Sequence, residues 1–176
     1  MWKIIGIAAL AWWLPTHAMA TEPTTEPTTE TDAEISGSLD GDSREWFILS
    51  HGSDSNASFV ESGDDIKIDI TGFIDDGAWE TQESLSISLT VQAEQLITAV
   101  IIHPIGASVS PPLYTSEGAE VAVTLTHYER DRGRIHVAGR IEGQLALQLQ
   151  LEEPPSQEES IEIGVEFDLE AQKIEF

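Results

Sequence analysis

A chain of 176 residues with 32 Asp and Glu against 8 Lys and Arg carries a formal net charge of −24. Such a field repels nucleic acid and anionic membrane surfaces and leaves cations or basic molecules as the favoured partners. The absence of cysteine excludes disulfide stapling, thiol redox chemistry and cysteine-based metal sites.

Lys3 supplies a positive start, Ile4 to Leu14 is apolar, Pro15 breaks the run, and Ala18-Met19-Ala20 gives the small-x-small pattern read by signal peptidase. The run is shorter than the roughly 20 residues a membrane-crossing helix requires. Residues 1–20 are therefore expected to be a signal peptide cleaved after Ala20. That implies a periplasmic or secreted protein with no stable membrane anchor after cleavage. Residues 21–33 repeat a Thr-Glu-Pro-Thr theme with no large apolar side chain, the composition of a disordered or extended linker.

From Glu34 to Phe176 the pattern changes to short alternating segments, read as one all-β domain. Ile35 and Leu39 frame a first strand, and Asp40-Gly41 signals a hairpin turn before Trp46 to Leu49. Phe59-Val60 is a short strand. Ile66, Ile68 and Ile70 alternate with polar residues, as do Leu85, Ile87, Leu89 and Val91. Ile97 to Ile102 is continuously apolar and predicts a strand covered on both faces. Segments 120–129, 134–142 and 144–151 read as a three-strand meander. Ile161, Ile163, Val165, Phe167 and Leu169 mark the longest strand, and Ile174 to Phe176 starts another. The whole predicts an antiparallel β-sandwich or flattened β-barrel of about ten strands.

Two patches, Ile35-Ser36-Gly37-x-Leu39-Asp40-Gly41 and Val137-Ala138-Gly139-x-Ile141-x-Gly143, resemble small exported bacterial β-domains of uncharacterised role. The resemblance implies an all-β fold and supplies no activity.

Candidate chemistry is sparse. Asp40, Asp42, Asp54, Asp64 and Asp65 fall in predicted turns, where oxygen ligands can converge on calcium, though none keeps EF-hand spacing. Asp also favours turns because its side chain bonds the local backbone, which gives these residues a purely structural role. No Gly-x-Ser-x-Gly elbow and no His-Glu-x-x-His motif is present, so a hydrolase would need residues from distant segments. Trp79, between Asp75-Asp76-Gly77-Ala78 and Glu80, is the best candidate for an exposed aromatic contact.

Arg130, Arg132, Arg134 and Arg140 cluster with His136, a patch suited to a small anionic ligand or an acidic protein, or to neutralising nearby carboxylates. Asp131-Arg132-Gly133 reads as a three-residue loop, pairing Arg130 with Arg134, His136 with Tyr128 and His127 with Val137. In that register His136, Tyr128, Arg134 and Arg140 share the polar face, His127 turns inward, and the two histidines hold no metal together. The composite expectation is an exported binding or interaction module. A structural envelope or secreted protein and a hydrolase are the alternatives.

Overall fold

The computed structural model describes residues 33–51 and 54–174. The expected signal peptide and all but Ala33 of the expected linker lie outside the described residues; of the extra strand expected at Ile174 to Phe176 only Ile174 is described, and it belongs to no strand. Within the described residues the fold is all-β. In chain order the strands are β1 Ile35–Leu39, β2 Asp42–Trp46, β3 Ser50–His51, β4 Asp54–Ser55, β5 Ala57–Ser62, β6 Asp65–Gly72, β7 Leu85–Gln92, β8 Gln95–Pro104, β9 Leu113–Thr115, β10 Val121–Asp131, β11 Arg134–Gln148 and β12 Ser156–Lys173.

Ten strands share one sheet in the order β10-β11-β9-β8-β7-β6-β5-β12-β1-β2, and β11 also pairs with β12. That extra pairing makes a ring through β11, β9, β8, β7, β6, β5 and β12, with β10 hanging on β11 and the β1–β2 hairpin on β12. Two corners of the ring are thin. β9 contributes three residues to each neighbour, and β12 meets β5 in parallel only at Gln172↔Ser58 and Lys173↔Phe59. The result is a flattened ring, between a sandwich and a barrel, as the alternation of the sequence predicts.

Period-two alternation explains the core. Strand β12 turns Ile161, Ile163, Val165, Phe167, Leu169 and Ala171 inward, against β7's Leu85, Ile87, Leu89 and Val91 in one buried cluster. Trp46 is fully buried, and its indole N–H donates to the Glu83 carbonyl at 2.9 Å, so its one polar atom is satisfied.

Three of the four glycines of the two patches, all but the turn residue Gly41, have packing reasons. A Cβ on Gly37 would lie 2.2 Å from the Gly164 carbonyl oxygen, and one on Gly143 would lie 2.2 Å from that of Glu120. Gly139 sits opposite Phe167, whose ring occupies the space a side chain would take.

The structure departs from sequence expectation in several places. The strand expected at Trp46 to Leu49 is instead β2, which ends at Trp46, with Phe47 beyond it making an isolated bridge to Phe73. The proposed second and third strands of the meander are one strand, β11, because Gly143, at φ 142°, continues the strand and does not turn it. Strand β8 is not covered on both faces: Ile97 is exposed, and Val100 and Ile102 are half-buried. The β10–β11 register also differs. Asp131 pairs with Arg134 across a two-residue turn, which sets Tyr128 opposite Val137, Glu129 opposite His136 and His127 opposite Ala138. An extra residue at Thr126 then shifts the ladder by one, restoring the expected Val123↔Ile141 pairing further along. The bulge lets the apolar sets on both sides of it face inward.

Replacing Gly143 by alanine is expected to cost more than about 2 kcal/mol, because backbone rather than a movable side chain blocks the new methyl. Gly106→Ala, with nothing within 4 Å, should stay within about 0.5 kcal/mol. Urea unfolding midpoints of the two variants would measure the difference, and equal midpoints would contradict the packing role.

Candidate functional site

Two surfaces gather the candidate residues, and they differ in character. The first is the outer face of β11 and β12. Arg134, His136 and Arg140 alternate outward along β11, as expected, each next to a carboxylate of β12. Arg134 lies 3.3 Å from Glu170, His136 Nε2 donates to Asp168 at 2.6 Å, and Arg140 is bonded to Glu166 through two guanidinium nitrogens. Glu142 adds a further carboxylate 3.8 Å from Arg140, and Arg130 is paired with Glu61. The Glu166 contact holds the Arg140 guanidinium more firmly protonated than usual. The arginines therefore neutralise local carboxylates, and an incoming anion would have to displace them.

The histidines correct the sequence reading. With the Thr126 bulge in place, His127 points outward beside His136, their ring centroids 4.5 Å apart, and Tyr128 points inward. His127 approaches Glu129 at 3.7 Å. Among the described residues, no group of three or more His, Asp or Glu side chains is placed to hold a metal ion.

The aspartates named as calcium candidates are dispersed. Asp40, at φ 53°, and Gly41 form the left-handed β1–β2 turn, and Asp42 stands 3.9 Å from Arg44. Asp64 belongs to the β5–β6 turn, and Asp65 accepts a bond from Gln92 at 2.9 Å. Asp54 lies in β4, paired with His51.

The second surface is built around Trp79. Its loop is pinned by Phe47 and Phe73, which exchange backbone hydrogen bonds at 2.8 and 3.0 Å, and by Ser84 closing on Thr81. Asp75 accepts the Gly77 N–H at 2.8 Å, tightening the tip. Trp79 is 53% exposed and rests on the buried ring of Phe73, with centroids 6.3 Å apart and planes at 27°. Depressions flank it on both sides. One of about 380 Å³ is lined by Asp54, Ser55, Ser58, Gln172 and Lys173, and one of about 420 Å³ by Asp76, Ser50 and the Phe47–Leu49 segment. Trp79 was legible as a site residue from its polar neighbours. Gln172, Lys173, Ser55 and Ser58 were not, since only the thin β12–β5 corner brings them to it.

One half-buried titratable group stands apart from both surfaces. His103 stacks on Tyr114 at 6.4 Å, and its Nδ1–H donates to the Ser84 carbonyl at 2.9 Å. Burial, assisted by Arg44, holds its pKa below the ordinary value, outweighing the Ser84 bond and Glu83.

No protein-family model, curated protein sequence or solved structure matches this chain.

The His103 environment has a consequence for stability. The unfolded chain takes up a proton near the ordinary histidine pKa of about 6.5, whereas the folded chain resists it to lower pH. The contribution of neutral His103 is thus complete above that pH and lost as pH falls through the window beneath it. Urea midpoints measured between pH 7.5 and about 5.5 should fall for the native chain and fall less for His103→Gln. Parallel slopes would contradict this.

Proposed function

We propose that this chain is an exported binding module whose recognition surface is centred on Trp79. The supporting observation is the half-exposed indole held on Phe73 between two depressions of mixed lining, the first supplying Asp54, Ser55, Ser58, Gln172 and Lys173 and the second Asp76 and Ser50 beside the Phe47–Leu49 segment. A large aromatic left in water at a fixed orientation costs hydrophobic stabilisation that burial would supply, and such rings commonly anchor ligands. A carboxylate and hydroxyl on each side of the ring, with an amide and an ammonium group on one side, suit a ligand with an apolar face and hydroxyl-bearing edges, such as a saccharide ring. Export rests on the Lys3 to Ala20 pattern and places the module in the periplasm or outside the cell.

Binding is favoured over hydrolysis by where the perturbed groups lie. His103, Tyr128 and Arg140 have shifted pKa values, and none of them lines either Trp79 depression.

A thermal-shift series of soluble oligosaccharides tests this reading. A ligand present at a hundredfold excess over its Kd should stabilise the native chain by about 2.7 kcal/mol. Trp79→Ala should abolish the gain, and Trp79→Phe should keep part of it. Equal shifts in native and Trp79→Ala protein would place binding elsewhere, and no shift with any saccharide would remove the sugar assignment.

A further inference from the structure

Strands β9 and β10 lie end to end along one edge of β11. Leu113–Thr115 pairs with residues 146–148, and Val121–Asp131 with residues 134–143. On its other side β9 pairs with β8 at Ile102, His103 and Pro104. Among the described residues, β10 has no strand on that side, and neither does β8 from Gln95 to Val100. The sheet splits just past Ser116, whose N–H donates to the Ile101 carbonyl at 2.9 Å and whose hydroxyl accepts the Ile101 N–H at 2.8 Å. Beyond it two strand edges diverge around a cavity of about 300 Å³, lined by Leu96, Ile97, Ala99, Ser116, Val121 and Val123.

Three observations mark this gap as short of a strand. Ile101 aims its backbone groups across the gap at Ser116, so by alternation Ala99 aims its own the same way, with no strand to receive them. The inward side chains flanking the gap, Leu96, Ala99, Val121, Val123 and Leu125, stay half-buried, while Leu89, Val137 and Ile141 on adjoining strands are fully buried. The Tyr128 hydroxyl, on the same inward row of β10, is buried with no hydrogen-bond partner. Burial also raises the pKa of that phenol.

Charge selects the occupant. Exposed Glu94 stands at one end of the gap, and Glu117 and Glu120 at the other. A second copy would bring a charge of −24 to this acidic slot, and residues 21–33 offer prolines and glutamates with no large apolar side chain. Bulges at Ile97 and Thr126 interrupt the two edges, so the regular acceptor is short: Thr98–Ile101 on one side and Val121–Leu125 on the other. We propose that the slot between β8 and β10 accepts a short extended segment of a basic partner protein. Its backbone pairs with the exposed edge, and its alternate apolar side chains cover Val121, Val123 and Ala99.

The probe is a capped, fluorescein-labelled peptide, Lys-Val-Thr-Val-Lys-Val-Lys, titrated against the full chain by fluorescence anisotropy. Saturable binding is expected. It should weaken about tenfold or more when alternate backbone amides are N-methylated, the equivalent of one or two lost hydrogen bonds. Replacing the lysines by glutamates should abolish it, and added salt should weaken it. Ile97→Lys, at a 55% exposed position lining the slot, should weaken binding while leaving the unfolding midpoint unchanged. No saturable binding at millimolar peptide would overturn the proposal. So would equal affinity for the N-methylated peptide, or a dimer of the chain that the peptide competes apart.

Discussion

The architecture depends on a close backbone approach at Gly143. There β11 passes through a positive φ of 142°, with Glu120 O accepting the Gln144 N–H at 3.0 Å and its carbonyl occupying the place of a side chain. The strand continues through Gly143, so one 15-residue strand serves β10 along most of its length and β9 at its end. Because β9 also reaches β8, the ring closes there, and because β10 does not, it opens immediately beyond. Closure and opening are two results of one local geometry. Only a glycine can occupy the position without moving the neighbouring backbone.

The two thin corners of the ring have different consequences. At β12–β5 the parallel contact of Gln172 and Lys173 with Ser58 and Phe59 carries polar side chains to the Trp79 depression. At β9 the corner leaves an edge unpaired. The outer face of β11 and β12 is meanwhile occupied by its own ion pairs, each individually weak because exposed. Arg134 and Arg140 are thus spent on carboxylates of their own face.

Much of the fold was legible because a period of two survives wherever one face is buried. Strands β6, β7 and β12 follow their alternating isoleucines, leucines and valines, and Asp40-Gly41 makes the turn its chemistry demands. What escaped was non-local. Strand β9 is three residues behind Pro111-Pro112, too short to show a period. Gly143 reads as a turn because glycine serves tight turns and close approaches alike. The Thr126 bulge is invisible to alternation, since the apolar residues on either side of it keep their own period. Trp79 stood out in its acidic loop, whereas the groups beside it arrive from strands far away in sequence.

The most direct test of the split ring is native-state amide hydrogen exchange along β8. The Ile101 amide, bonded across the closed corner to Ser116, should exchange only with opening of the core. Two residues earlier, the Ala99 amide should exchange faster by orders of magnitude through its open edge, and Val123 on β10 should match it. Equal, high protection at Ile101, Ala99 and Val123 would mean that the sheet closes along β8 and β10, contradicting the split.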